Sequence, residues 1–479
     1  MFKKIKLSYV GSAVLTLIAI AIIALKPLSG NISDTGQIML GGIIITLSIW
    51  IFKPFNLPYA VGGLFLALFA LALGGVNPAS GLTSATIFSG FTHSATWTLI
   101  PALFFGFVLA KTGLGKRIAM AIIKIFKPSY ASLVFAWVII GVVLSLLTPA
   151  TTVRVAIVIP IAMQCCELCK LEKGSKGNSL IMLTAFSMAL IPGAAWLTGV
   201  VWGPFVQGTY ERIPELVGMV TFNSWFSIMF VPTIITAVLL VASSLIFLKP
   251  KEKISEEAAK AIRSQKSDRM STHEIIAAVV LAAIFGFFVT SSIHGLSSAV
   301  ICLSAMFLFF LLGVLEAKDF NTGVNWDMII FLAMALSLGT ILDTTGISIW
   351  IADIIVPALA PIAANPWIFM LVIMTVMFLF RFVDVAMFLP TISIVVPILP
   401  AIQAQYGIHP LVWIAVFMLA GNAFFMHYQN VWAMMSKGMA GERIWTNKHL
   451  AIYGTLYFVA CMIALVAAIP IWTNAGLFG

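Results

Sequence analysis

Charge is what this chain lacks. Of its 479 residues only 9% are Asp, Glu, Lys or Arg, against 61% that are apolar. A soluble domain is close to half apolar and a quarter charged, so a water-soluble globular protein is excluded. Acidic residues are scarcest, with 17 Asp and Glu in all. No paired catalytic carboxylates, nucleophile–base set or phosphate-binding glycine loop is present, so the chain reads as no enzyme and no ATP-driven pump. Cysteines number five. Cys165, Cys166 and Cys169 cluster without a fourth ligand nearby, so they read as reduced thiols and no metal site is assigned.

Long apolar runs are what it has instead. Crossing about 30 Å of hydrocarbon takes roughly 20 apolar residues in a helix. Such runs fall at about 7–26, 36–52, 58–75, 95–111, 177–207, 221–248, 272–292, 296–315, 325–343, 410–436 and 447–472. They are continuous, without the alternation of a membrane barrel, so the expected fold is an all-α polytopic membrane protein with about 11 transmembrane helices. The first run is too long for a signal peptide and lacks a small-residue cleavage site, so it reads as a retained helix. Two further stretches, 129–169 and 365–402, are too long for one span and carry breakers in mid-stretch. The first holds Thr148-Pro149-Ala150 and the second Pro390 with Thr391. Each reads as a re-entrant helical hairpin, because broken backbone at membrane depth needs protein or a watery cavity around it.

The net charge of +10 does not mark a nucleic-acid partner, since the basic residues sit in short loops. Threading the runs from a cytoplasmic N-terminus puts 23 of the 27 Lys and Arg inside. Lys26 and Arg212 fall outside, and Arg154 and Arg381 fall within the hairpins. This positive-inside asymmetry makes the first hairpin open inward, the second outward, and the C-terminus lie outside an inner or plasma membrane.

The chain also repeats. Leu109-Ala110-Lys111-Thr112-Gly113-Leu114 returns 233 residues later as Leu342-Asp343-Thr344-Thr345-Gly346-Ile347. Val155 to Ile161 returns as Ile392 to Ile398, with four extra residues between. An odd number of crossings per copy makes the repeats inverted, the arrangement by which many secondary transporters place a site near the midplane. The expected organisation is a first helix within 1–35, a first repeat 36–248, a cytoplasmic linker 249–271 and a second repeat 272–479.

Three ionisable side chains lie deep in the expected bilayer: Arg154, Arg381 and Asp384. Each is expensive there, so each faces a cavity or a partner by default. Arg381 and Asp384, at i and i+3 on the descending arm of the second hairpin, are spaced to pair. Arg154 is left as a surplus cation, which favours an anionic substrate held bidentately. Its competing role is to bond backbone carbonyls at the hairpin tip. Short hydroxyls crowd both tips, Thr148, Thr151 and Thr152 at the first, Thr391 and Ser393 at the second. Ile191-Pro192-Gly193 should unwind one long helix and expose carbonyls. Its counterpart, 421–430, offers Asn422, His427, Gln429 and Asn430, as cavity lining or as helix-to-helix glue. The expected substrate-binding set is therefore Thr148, Thr151, Thr152, Arg154, Thr391, Asn422 and Gln429. Gly193, Arg381 and Asp384 are the ion-coupling set, with Na+ or H+ as the coupling ion and no cofactor. His93 reads as interfacial.

The stretch Ser89-Gly90-Phe91, Thr96-Trp97 and Lys111-Thr112-Gly113-Leu114-Gly115-Lys116-Arg117-Ile118-Ala119, continuing to Leu147-Thr148-Pro149-Ala150-Thr151-Thr152-Val153-Arg154, resembles the divalent anion/sodium symporter family. Within it, Gly113 to Ala119 opens an amphipathic interfacial helix characteristic of that family. The resemblance implies a Ser-Asn-Thr motif at each hairpin tip, holding substrate carboxylates and, in symporters, sodium. Here the first copy reads Ala150-Thr151-Thr152 and the second falls on Met387-Phe388-Leu389. Arg154 matches a variant of the motif found in members that exchange di- and tricarboxylates without sodium. The resemblance further implies an elevator-type homodimer, with a still scaffold and a transport domain that carries both hairpins across. Two functions stay open: an anion carrier centred on Arg154, and a cation/proton antiporter centred on Asp384.

Overall fold

The computed structural model describes residues 7–126, 129–250, 253–264, 269–384 and 388–478. Every extended element among them is a helix, and 12 helical segments are long and apolar enough to cross a membrane. The chain opens with α1 (Leu7–Leu25), α2 (Asp34–Phe52) and α3 (Tyr59–Val76). α1 packs one face on α2 and leaves the other, Leu17 and Ile20 among it, exposed as a lipid-facing surface. After two single-turn helices within 84–92, His93 accepts the Ala95 N–H and caps α4 (Ser94–Thr112). Gly113 ends it at φ +79° and turns the chain into α5 (Leu114–Ile125), an amphipathic helix. Only glycine enters that left-handed turn without steric cost.

The first hairpin is α6 (Tyr130–Leu147) and α7 (Thr151–Leu168), parted by Thr148-Pro149-Ala150 as the sequence anticipates. Both arms pack along α8 (Lys176–Leu190), which is buried at every residue after Lys176. A 15-residue helix is only about 22 Å long, so two 18-residue arms can both lie on it only by folding back beside each other. Beyond α8 the helix narrows to a 3₁₀ turn at Pro192–Ala195, opens, and resumes as α9 (Trp202–Tyr210). The span expected at 177–207 is thus two helices around an irregular stretch, because Pro192 cannot donate to the ladder. α10 (Phe222–Phe247) closes the first half behind a Thr221/Ser224 capping box. The linker holds a short amphipathic helix, α11 (Glu256–Arg263), which buries Ala258 and Ile262 and packs on α5 and α7.

The second half repeats this order. α12 (Thr272–Val289) and α13 (Ser298–Leu311) lead to α14 (Trp326–Thr344). Gly346, at φ +73°, turns α14 into α15 (Ile347–Ala358), as Gly113 turns α4 into α5 at the same 233-residue offset. The second hairpin is α16 (Pro366–Phe380), then α17 (Leu389–Val395), a 3₁₀ turn at Val396–Ile398, and α18 (Leu399–Tyr406). Its break is not at Pro390 and Thr391. α16 ends at Phe380 and α17 begins at Leu389, so Pro390 sits in the first turn of α17, where the missing N–H would have no partner in any case. Arg381 and Asp384 are therefore tip residues and not part of a helical arm. Phe388 at φ +64° makes the turn into α17, and Met387 lies outside the described residues. α19 (Val412–Gly421), an irregular stretch and α20 (Val431–Ala440) mirror α8 and α9, and α21 (Asn447–Asn474) mirrors α10.

Packing ties the halves together through α21. It lies along α10, its Tyr453 hydroxyl meets Ser187 of α8 at 2.7 Å, and its Tyr457 donates to the Leu419 carbonyl of α19 at 2.7 Å. One helix thereby holds both broken helices in register, using hydroxyls that water cannot satisfy at that depth.

Candidate functional site

Arg154 lies in the first turn of α7 and is fully buried. Its Nη1 donates to the Gly199 carbonyl at 2.6 Å and, more weakly, to the Thr148 carbonyl at 3.4 Å. Nη2 donates to Thr151 Oγ1 at 2.8 Å, and Nε has no hydrogen-bond partner. Among the described residues no carboxylate lies within 4 Å of it. Backbone carbonyls carry only partial charge, so the formal charge of this guanidinium stays uncompensated. The carbonyl-bonding role and the surplus-cation role therefore coexist in one side chain. Gly193 explains how the group fits: a Cβ there would stand 2.7 Å from Arg154 Nη1 and 2.3 Å from the Gly199 oxygen. The break at 192–201 is thus a cradle with no side chain in its way.

The second tip is built differently. Arg381, also buried, donates Nη1 to the Asp384 backbone carbonyl and Nη2 to the Gln429 carbonyl at 2.5 Å. The Asp384 carboxylate accepts the Thr391 hydroxyl at 2.5 Å. The two residues expected to pair as an i, i+3 step meet at a turn, where the guanidinium takes the Asp384 backbone carbonyl. Phe388 lies under the guanidinium, 5.7 Å from ring centroid to Cζ. Across both tips one pattern recurs: a buried arginine reaches into the break of the next broken helix and takes its carbonyl, Gly199 in one half and Gln429 in the other.

Of the other expected residues, Thr148 caps its own turn by accepting the Ala150 N–H at 3.0 Å. Asn422 donates to Met418 O at 3.1 Å, and the Gln429 side chain accepts the Met426 N–H at 2.8 Å. Both support the second break through local backbone contacts. Asn430 caps α20, accepting from Trp432 and Ala433 N–H. Ser393 donates to the Ala335 carbonyl of α14 at 2.8 Å. Thr152 differs from its neighbours. It is exposed where Thr151 and Arg154 are buried, and it accepts the Trp432 indole N–H at 3.1 Å. Exposed Met426 and Tyr428 lie on the same broken stretch that leads to Trp432. A polar tip residue exposed at this depth requires a watery crevice beside it.

Trp432 and Gly199 went unnoticed in the sequence. A tryptophan in an apolar run gives no signal, and a carbonyl acceptor has no residue type to betray it. Trp432 also packs against Trp202 of α9 at 5.8 Å, and Trp202 covers Gly421, whose Cβ would be 2.4 Å from its ring. The two tryptophans thus bridge the two breaks. A small cavity of about 20 Å³ touches Thr148, Pro149 and Thr198 on the hairpin side and Thr98, Ile284 and Phe288 on the other. His93, read as an interfacial residue near a helix start, caps α4, and burial of its imidazole holds its pKa down to about 4, with Arg212 adding repulsion. Cys165 and Cys166 are buried, and burial pushes the Cys169 thiol up to about 11. Among the described residues no three His, Cys, Asp or Glu are grouped to hold a metal.

A family described as the transmembrane region of sodium:sulfate symporters matches residues 8–477. The chain is 25% identical over 303 residues to the chloroplastic dicarboxylate transporter 1 of Spinacia oleracea, covering 61% of this chain and 53% of that one. It is 25% identical over 351 residues to its Arabidopsis thaliana namesake, covering 70% and 62%. An Escherichia coli L-tartrate/succinate antiporter is 23% identical over 308 residues, 61% of each chain. The chain thus spans less than two thirds of the length of each of these relatives. The crystal structure of the Alcanivorax borkumensis YdaH transporter, reported to have an unusual topology, superposes with a TM-score of 0.60. At 13% identity, covering 88% of this chain and 99% of that one, it speaks to the fold alone.

Proposed function

Because the chain belongs to the sodium:sulfate symporter family, we propose that it is a secondary carrier that exchanges small di- or tricarboxylate anions across a membrane. The observation that carries this reading is Arg154, a buried guanidinium at a hairpin tip with no carboxylate partner among the described residues. An incoming carboxylate supplies the missing charge, and in a low-dielectric crevice that attraction far exceeds its value in water. Thr152, exposed beside it and steadied by Trp432, offers a hydroxyl to the same anion. Relatives named as dicarboxylate transporters and a tartrate/succinate antiporter support the substrate class.

Exchange, and not sodium symport, is favoured by the way each tip is filled. The carbonyls of Thr148, Gly199 and Gln429 are the oxygens on which a hard cation would settle. All three already accept from guanidinium groups, which would repel a second cation. With two fixed charges in place of mobile ones, the empty carrier holds a net cation that resists crossing the bilayer until an anion neutralises it. Obligatory exchange follows. The carrier works as an elevator in this reading: α6–α10 and α16–α21 move with the two tips, α1–α5 and α12–α15 stay, and two copies pair. The repeat boundaries, the cytoplasmic N-terminus, the outward C-terminus and the inner or plasma membrane belong to the same proposal.

Uptake of labelled succinate, malate, citrate and sulfate into proteoliposomes tests it. Uptake should require unlabelled substrate inside and be indifferent to sodium. Sodium-dependent uptake into empty vesicles would overturn the exchange reading. Thr391 on the Asp384 carboxylate favours a second function, proton-coupled cation antiport with Asp384 as carrier. Arg154→Gln should abolish anion exchange, whereas under the second reading Asp384→Asn abolishes transport and Arg154→Gln is tolerated.

A further inference from the structure

We infer that Glu211 and Arg212, which end α9, are positioning residues for the transport step: an electrostatic latch that holds α9 on α4 and α14 and opens in each cycle. Two consecutive charges of opposite sign stand where the chain otherwise has almost none, and each meets the matching end of a helix. Glu211 lies at the N-terminus of α4, where it accepts the Ser94 hydroxyl at 3.2 Å and stands 3.9 Å from His93 Nε2. His93 Nδ1 accepts the Ala95 N–H, so Nε2, the ring nitrogen near the carboxylate, carries the ring proton. Arg212 lies at the C-terminal end of α14, donating Nη1 to Thr340 Oγ1 at 3.1 Å with Asp343 close by. Helix N-termini favour anions and C-termini favour cations, and α4 and α14 are repeat equivalents that present opposite ends here. Reversing the order of the two charges would put each against the wrong end.

Three features make this a joint and not a weld. Gly208 lets α9 approach closely, since a Cβ there would stand 2.5 Å from Ala95 Cβ. The charges border open space: a cavity of about 290 Å³ whose lining includes Ser94, Gln207 and Glu211 on one side, and one of about 620 Å³ whose lining includes Arg212, Thr340 and Asp343 on the other. Water can therefore solvate both charges when the surfaces part, which removes the desolvation barrier a dry ion pair would present. Arg212 also has only Nη1 engaged, its Nε and Nη2 having no hydrogen-bond partner. The other end of α9 is the break that presents the Gly199 carbonyl to Arg154. Holding α9 thus sets where the anion site stands relative to α4 and α14, on the side that the charge asymmetry places outside.

The inference rests on the transport reading only for the word "cycle", and the experiment separates the two. Thr98→Cys places a thiol at a site that is 3% exposed and borders both the 290 Å³ cavity and the one touching the first tip. The five native thiols are buried and leave a low background. Its labelling by a membrane-impermeant maleimide should quicken about five-fold when Arg212→Gln or Glu211→Gln is added, the shift expected when a contact of ordinary strength is lost. Arg212→Lys, which keeps the cation at the α14 terminus, should label as the parent does. Unchanged labelling in both neutral variants would overturn the latch. In a second arm, Arg212→Cys with Thr340→Cys is bridged by a short bis-methanethiosulfonate reagent. Exchange should stop on bridging and return on reduction; full exchange by the bridged protein would overturn the latch while leaving transport intact. A parent that exchanges none of the anions would sink the transport reading, and the labelling arm would still decide the latch.

Discussion

At the scale of single residues, the chemistry of this protein is concentrated in two arginines that share one device. Each is buried at a hairpin tip, donates to one carbonyl of an unwound helix, Gly199 or Gln429, and bonds its own tip with the rest. The device depends on missing side chains as much as on present ones. Gly193→Ala would place a methyl 2.7 Å from Arg154 Nη1 and 2.3 Å from the Gly199 oxygen, against backbone that cannot give way. The expected result is apparent anion affinity weakened by about ten-fold or more, with the protein still folded, measured by exchange in proteoliposomes and by size-exclusion profile. Arg154→Lys keeps the charge but loses the planar fork that spans Gly199 and Thr151, so it should not rescue Arg154→Gln. Both buried arginines were evident in the sequence, because a charge in an apolar run has no cheap explanation. Their acceptors were not evident, because carbonyls carry no sequence signature.

At the scale of elements, the breaks matter more than the helices. The first hairpin turns where Thr148-Pro149-Ala150 says it should, and the first broken helix unwinds at Pro192. The second hairpin shows why proline alone misleads. Pro390 sits in the first turn of a helix and so marks a start, not a break within an arm. Only the turn at Phe388 and the arginine contacts across the tip define it. Breaks of this kind need capping at both lips. Asn430 supplies one cap, receiving two N–H groups at the start of α20. Asn430→Ala should cost about 1 kcal/mol, the usual worth of a helix N-cap, read as a lowered unfolding temperature in detergent. Trp432 follows directly, so a frayed α20 should also loosen the indole on Thr152 and lower exchange more than the stability loss alone would.

At the scale of the whole molecule, two repeats face each other across contacts that no single repeat could make. The Trp432 indole on Thr152 joins the first tip to the second broken helix, 280 residues away in sequence. Trp432→Phe keeps the ring against Trp202 but removes the donor. The expected outcome is a change in the relative rates for succinate, malate and citrate, with the unfolding temperature within a few degrees of the parent. Equal loss for all three anions would instead assign Trp432 to packing. α21 performs the complementary task, keeping α8 and α19 in register through Tyr453 and Tyr457. Tyr453→Phe leaves the Ser187 hydroxyl its bond to the Thr184 carbonyl, so about 1 kcal/mol is the expected cost, again read thermally.

The amino-acid sequence by itself determined the class of the molecule. Hydrocarbon admits only backbone that satisfies its own hydrogen bonds, so 61% apolar content in long runs dictates membrane helices, and the 233-residue echo dictates two similar halves. It also singled out Arg154, Arg381 and Asp384, since isolated charge at that depth is too costly to be incidental. Tertiary structure decided what each charge touches. Gly199, Gln429 and Trp432 reach the tips from tens to hundreds of residues away, and those meetings depend on how the hairpins fold back against the broken helices. Local pattern constrains helices because their bonds are local. It leaves the site open because a site is made of contacts between segments.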